Sequence, residues 1–173
     1  MFPELQTQRF LLTRVSAEDQ QFLFEALSDP ITMPFNGVYY KTFEETKTQM
    51  EWYDKNFNSG TGVHWKIVDK LTGENIGVVS FYYFKPEHKK AELGFWILPK
   101  FWNQGITTEV LKTVIEYCHQ EKGIHRLEAF VEEDNVASAR VLEKTGFVLE
   151  GKMRDCEIKF GRYISLYIYG LVF

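Results

Sequence analysis

Between Glu92 and Glu109 the chain changes its hydrophobic period, and that change restricts the fold more than any other stretch. Leu93, Phe95 and Ile97 alternate with Glu92, Gly94 and Trp96, the period of two expected of a half-buried strand. Pro99 stops the strand, because proline has no N–H to give a ladder. Gln104, Gly105, Ile106, Thr107 and Thr108 follow as a turn. Val110, Leu111, Val114, Ile115 and Cys118 then recur at helical spacing. A strand that enters a helix through such a turn leaves the first helical N–H groups unpartnered and aims the positive end of the helix dipole at the turn. That suits a phosphate or pyrophosphate. A plain strand-to-helix connection reads the same way, so this stretch alone leaves both meanings open.

Composition removes several alternatives. At 173 residues the chain suits one domain, taken as 1–173. The net charge of -4 argues against a nucleic-acid partner, which would need clustered Lys and Arg. Cys118 and Cys156 stand in no CxxC, and the four histidines form no metal-binding spacing, so no metal is expected. The first residues carry no basic leader before an apolar core, and no apolar run nears the ~20 residues of a membrane span. The expectation is a cytoplasmic protein with no membrane partner. Aromatic residues reach 16%, which fits either a thick aromatic core or an aromatic-lined cleft.

In chain order, residues 8–15 predict a strand. Ser16 with Asp19, and Thr42 with Glu45, are capping boxes that open two helices. The segment 31–41, with Pro34, Asn36 and Gly37 among aromatics, predicts a loop. Strands are expected at 64–68 and 75–84 with a hairpin turn around Gly73, then the strand at 92–97 and its helix. Arg126 to Glu132 predicts a strand, Asn135 caps a further helix that Gly146 ends, and two β segments close the chain. The order is β-α-α-β-β-β-α-β-α-β-β. It predicts a mixed α+β fold, a mostly antiparallel twisted sheet flanked by about four helices.

Residues 135–147, NVASARVLEKTGF, fit an N-x-x-S-x-x-x-x-x-K-x-G-F pattern on the helix that follows a strand. With FWNQGITTEVL upstream, the chain resembles the GNAT superfamily of acyl-CoA-dependent N-acetyltransferases. TQRFLLTR, AELGFWILPKFWNQGITTEVL and VLEGKMRD resemble its RimJ/RimL branch, and the resemblance runs from about Thr7 to Phe173. It implies acetyl-CoA as co-substrate. Pantetheine would pair with the backbone of Phe95, Trp96 and Ile97 like an added strand. The pyrophosphate would sit on the turn from Trp102 and Asn103 through Gln104, Gly105, Ile106, Thr107 and Thr108. Asn135, Ser138 and Lys144 would complete the cofactor site. Trp102 and Thr107 depart from the superfamily's broader Q/R-x-x-G-x-G/A loop, the first in the manner of this branch.

The resemblance also implies the chemistry. An amine must lose a proton before it attacks, an oxyanion must be met by a backbone N–H, and the leaving thiolate must gain a proton. Many superfamily members use a tyrosine for the last step, at the position of Leu142 here. Ser138, one turn earlier, matches the acid of the RimL pattern. Glu92 and Glu157 both match base positions. Asn36, Tyr39, Tyr40, Trp52, Phe81 and Tyr83 are candidates for the acceptor pocket, each also readable as ordinary core. The implied reaction acetylates a primary amine, foremost a protein α-amine. A polyamine or aminoglycoside acceptor is the alternative, and a non-catalytic acyl-CoA-binding module is the alternative of another class. A homodimer is compatible with the resemblance.

Overall fold

The computed structural model describes residues 1–173 except Met33, Pro34 and Asn36. Its eight strands form one mixed sheet in the order β1-β2-β3-β4-β5-β6-β8-β7. They are β1 (Leu5–Gln6), β2 (Phe10–Arg14), β3 (Val63–Asp69), β4 (Asn75–Lys85), β5 (Lys90–Ile97), β6 (Arg126–Glu132), β7 (Val148–Lys159) and β8 (Arg162–Val172). Among the described residues the α-helices are α1 (Gln20–Leu27), α2 (Thr46–Ser59), α3 (Ile106–Gln120) and α4 (Val136–Lys144). The expected order is present, with β1 added at the front. Two residues are too few to show a period, so β1 has no sequence signature.

Local signals place the helices. The Asp19 carboxylate accepts from the Ser16 N–H at 2.8 Å, and the Glu45 carboxylate accepts from the Thr42 N–H at 3.1 Å. Both capping boxes therefore form, each closing orphan donors at a helix entry. The sheet then separates two cores by strand alternation. On β4, Val79 and Phe81 face α3, in a cluster with Val110, Leu111 and Val114. Val78, next to Val79 on the strand, faces α1 and α2, with Phe22, Leu23 and Tyr53. On β5, Leu93 and Ile97 join the first cluster, whereas Trp96 packs on Phe22 with ring centroids 5.3 Å apart.

The register places the site. β4 pairs with β5 from Tyr82–Glu92 through Gly77–Ile97. The parallel partner β6 meets β5 only at Lys90–Arg126, Ala91–Leu127 and Glu92–Glu128. Beyond Glu92 the two strands part, while β6 stays paired with β8 as far as Glu132–Leu166. A wedge thus opens in the middle of the sheet, between residues 93–97 and 129–132.

Candidate active site

The turn that leads from β5 into α3 bounds the wide end of the wedge. Trp102 folds its indole back, and Nε1 donates to the Ile97 carbonyl at 2.8 Å, closing the last residue of β5. Asn103 and Gly105 take left-handed φ values of 60° and 72°, conformations that asparagine tolerates and glycine adopts freely. The N–H groups of Gly105, Ile106, Thr107 and Thr108 have no acceptor among the described residues. They stand at the positive end of a 15-residue helix and in front of open space, since a Cβ at Gly105 would meet only Arg9 Nη2, at 4.0 Å. This is a cradle for an oxyanion group. Arg9 braces it. Its Nε donates to Glu109 Oε2 at 2.7 Å, its N–H to Glu109 Oε1 at 3.0 Å, and its Nη2 to the Gln104 carbonyl at 3.3 Å. Nothing in the sequence links residues 100 positions apart, so Arg9 was not legible there.

Helix α4 begins just past the end of β6, on the other side of the wedge. Asn135 caps it, its side chain accepting from the Ser138 N–H at 3.1 Å. The Ser138 hydroxyl meets no partner among the described residues and is half-buried. Leu142, where a tyrosine acid would stand, is buried to 1% in the core. Lys144 lies exposed in the last turn of α4, away from Ser138.

The two carboxylate candidates stand in different surroundings. Glu92 is half-buried at the point where β5 and β6 separate. Burial, and next the neighbouring Glu128 carboxylate, raise its pKa above the usual carboxylate value, against the pull of Lys90 and Lys85. It lines a cleft of about 560 Å³ with Trp52, Lys55, Asn56, Ser59, Thr61, Tyr83, Phe84 and Lys85. Glu157 is exposed on the outer strand β7, opposite Ile164. That is six rungs of β8 beyond the level of Glu92, about 20 Å along the strands. Glu157 does share with Ser138 the end of the sheet where the wedge is open.

The acceptor candidates divide in the same way. Trp52 and Tyr83 line the Glu92 cleft, with ring centroids 6.3 Å apart. Tyr83 has φ 51°, rare for a bulky residue, at the register shift between Tyr82 and Lys85. The bulge turns its ring outward, to 52% exposure. Tyr39 and Tyr40 lie elsewhere. Tyr39 faces Phe160 at the β7–β8 turn, centroids 6.5 Å apart, and the Tyr40 hydroxyl donates to Gln49 at 3.0 Å. Phe81 is a correction. It is 1% exposed and packs on Tyr117 of α3, so strand alternation puts it on the face away from the cleft and in the core. Asn36 lies outside the described residues.

One feature behind the cleft had no sequence signal. His64 is 3% exposed, with Nδ1 2.7 Å from Ser80 Oγ and Nε2 3.1 Å from Asn56 Nδ2. Burial lowers its pKa to about 3. The ring is therefore neutral, accepting from Asn56 at Nε2 and donating from Nδ1 to Ser80. It ties α2, β3 and β4 together beneath Trp52, whose ring centroid is 4.6 Å away.

Residues 9–148 match the family model of the acetyltransferase (GNAT) domain. The chain is 30% identical over 173 residues, 99% of its own length and 98% of the other, to the uncharacterised N-acetyltransferase YoaA of Bacillus subtilis. Among solved structures, RimL, a ribosomal L7/L12 α-N-protein acetyltransferase in complex with coenzyme A, superposes with a TM-score of 0.90 at 23% identity, covering 98% of each chain. The spermidine N-acetyltransferase of Vibrio cholerae, in complex with CoA and spermine, has a TM-score of 0.84 at 20% identity, covering 95% of each.

Proposed function

We propose that this chain, which belongs to the GNAT acetyltransferase family and is an N-acetyltransferase, moves an acetyl group from acetyl-CoA to the α-amine of a protein N-terminus. The observation that carries the reading is the parting of β5 from β6 at Glu92, between an anion cradle on one side and a cleft on the other. Acetyl-CoA supplies the thioester. The free N–H groups of Gly105 to Thr108 hold its pyrophosphate. The unpaired edge of β5 at Phe95, Trp96 and Ile97 holds the pantetheine amides and turns an N–H toward the charge that develops on the acetyl oxygen. Glu92 takes a proton from the incoming ammonium, directly or through one water. The C–N bond forms and the C–S bond breaks. The Ser138 hydroxyl gives its proton to the leaving sulfur and is reprotonated, through water, by the second proton that the new amide nitrogen sheds, so that a neutral amide and a thiol leave.

The likeness to RimL supports the α-amine, and the likeness to the spermidine enzyme supports a polyamine as the second reading. The test mixes the protein and acetyl-CoA with N-terminal peptides, spermidine and an aminoglycoside, and follows free thiol. Thiol release is expected to be fastest with a peptide. Tight CoA binding with no thiol release from any acceptor would leave a non-catalytic binding module instead. Ser138→Ala is expected to lower kcat by about 10² with acetyl-CoA affinity little changed. An undiminished kcat removes Ser138 from the reaction.

A further inference from the structure

We propose that the cleft beside Glu92 selects an amine carried next to a carboxylate, and that Lys55 and Lys85 are the residues that read the acid. The inference rests on acetyl transfer at Glu92 and adds the charge of the acceptor to it.

Lys66, Lys90, Lys100, Lys152 and Lys159 each bond a carboxylate of the protein. Lys55 and Lys85 have no ion-pair partner among the described residues, and both line the cleft that Glu92 enters. Lys55 comes from the third turn of α2, one residue before Asn56, whose side chain His64 fixes. Lys85 ends β4 just past the Tyr83 bulge, opposite Lys90. The Lys90 ammonium pairs with Glu128, whereas Lys85 acts on Glu92 only through its charge and makes no ion pair among the described residues. The cleft is thus lined by one half-buried carboxylate, two exposed lysines and the rings of Trp52 and Tyr83.

That layout has a polarity. An ammonium is drawn to Glu92, and the aromatic wall favours the same cation through its ring faces. A second positive charge on the acceptor would come up against Lys55 and Lys85, whereas a carboxylate there would meet two unpaired donors. A polyamine, with a cation at every few bonds, fits poorly. An α-amine followed by Asp or Glu within a residue or two fits, and so does the amine of a free acidic amino acid. Both offer the same chemistry: an ammonium with a carboxylate a few bonds away.

The test compares kcat/KM for three short peptides that differ only at their second and third residues, acidic, neutral or basic, with free glutamate and spermidine beside them. The wild type is expected to prefer the acidic over the basic peptide by about tenfold or more, chiefly through KM, with the preference shrinking as salt is added. In Lys55→Glu/Lys85→Glu the ratio is expected to invert, and in Lys55→Gln/Lys85→Gln to fall toward one. Both double variants change exposed side chains only, and their melting temperatures check that they fold. Turnover of free glutamate at the level of the acidic peptide makes the acceptor a small amino acid; peptide turnover alone makes it a protein terminus. Acetyl transfer with the same acidic-to-basic ratio in wild type and variants overturns this inference and leaves the enzymatic reading standing. No transfer to any acceptor overturns both.

Discussion

Glu92 shows how one residue takes its role from its neighbours. A carboxylate on an open strand ionises near its usual pKa and makes a weak base at neutral pH. Here burial and the adjacent Glu128 raise that value, which moves the group toward the range where a general base works best. Glu128 keeps its own charge because Arg126 Nε, at 2.8 Å, and Lys90, at 3.1 Å, hold it. Glu92→Gln is expected to lower kcat by about 10² to 10⁴, while Glu157→Gln stays within a few-fold of wild type. The reverse outcome would move the base to Glu157, at the Ser138 end of the wedge. The sign of the stability effect is also fixed. A folded-state pKa above the unfolded one favours the protonated form, so the wild type gains from Glu92 at acid pH and loses that gain as pH rises through the raised value. Glu92→Gln is expected to be the more stable protein at neutral pH, with the difference shrinking on acidification. Urea unfolding of both at several pH values checks it.

At the scale of elements, two connections do more than join. The first is the turn into α3. Its left-handed Gly105 accepts a side chain only with strain, and an acidic one would stand among the N–H groups that await a phosphate. Gly105→Asp is expected to weaken acetyl-CoA binding by at least about tenfold, read by calorimetry, with the fold intact by circular dichroism. Retained affinity would put the phosphates elsewhere. The second connection is the Asn56–His64–Ser80 link between α2, β3 and β4. His64 stays neutral in the fold down to a pKa of about 3, whereas the unfolded ring gains a proton near 6.5. Its contribution is therefore whole above 6.5 and is lost progressively as pH falls from there toward the lowered value. His64→Gln is expected to be less stable at pH 7 yet to lose less on going to pH 4. Equal slopes in the two proteins would show that another group governs the acid limb. The turn was legible in the sequence because proline, glycine and a change of period mark it locally. The histidine link was not, because its three members belong to three elements and none breaks the pattern of its own.

For the whole molecule, the wedge divides the sheet into two sets of strands, β1 to β5 and β6 with β8 and β7. Three residue pairs between β5 and β6 join them, helped by the helices packed on either side. The order of elements could be read along the chain because hydrophobic period and caps are local. The wedge could not be read that way: the strand pattern of Leu93, Phe95 and Ile97 is the same whether the far edge is paired or open. Nor could the cleft, whose charges come from α2, β4 and β5. A molecule divided along this seam gains most from a ligand that occupies it. Saturating acetyl-CoA at about 100 times its Kd adds about 2.7 kcal/mol to folding. For a chain of this length that is a rise in Tm of roughly 5–10 °C. Hydrogen exchange tells whether the gain is made at the seam. The amides of residues 93–97 that face β6 are expected to slow far more than those of β2 and β3, which are already paired on both sides. Gly105→Asp is expected to lose both the shift in Tm and the protection. A rise in Tm with no added protection on β5 would mean that the cofactor binds without entering the wedge.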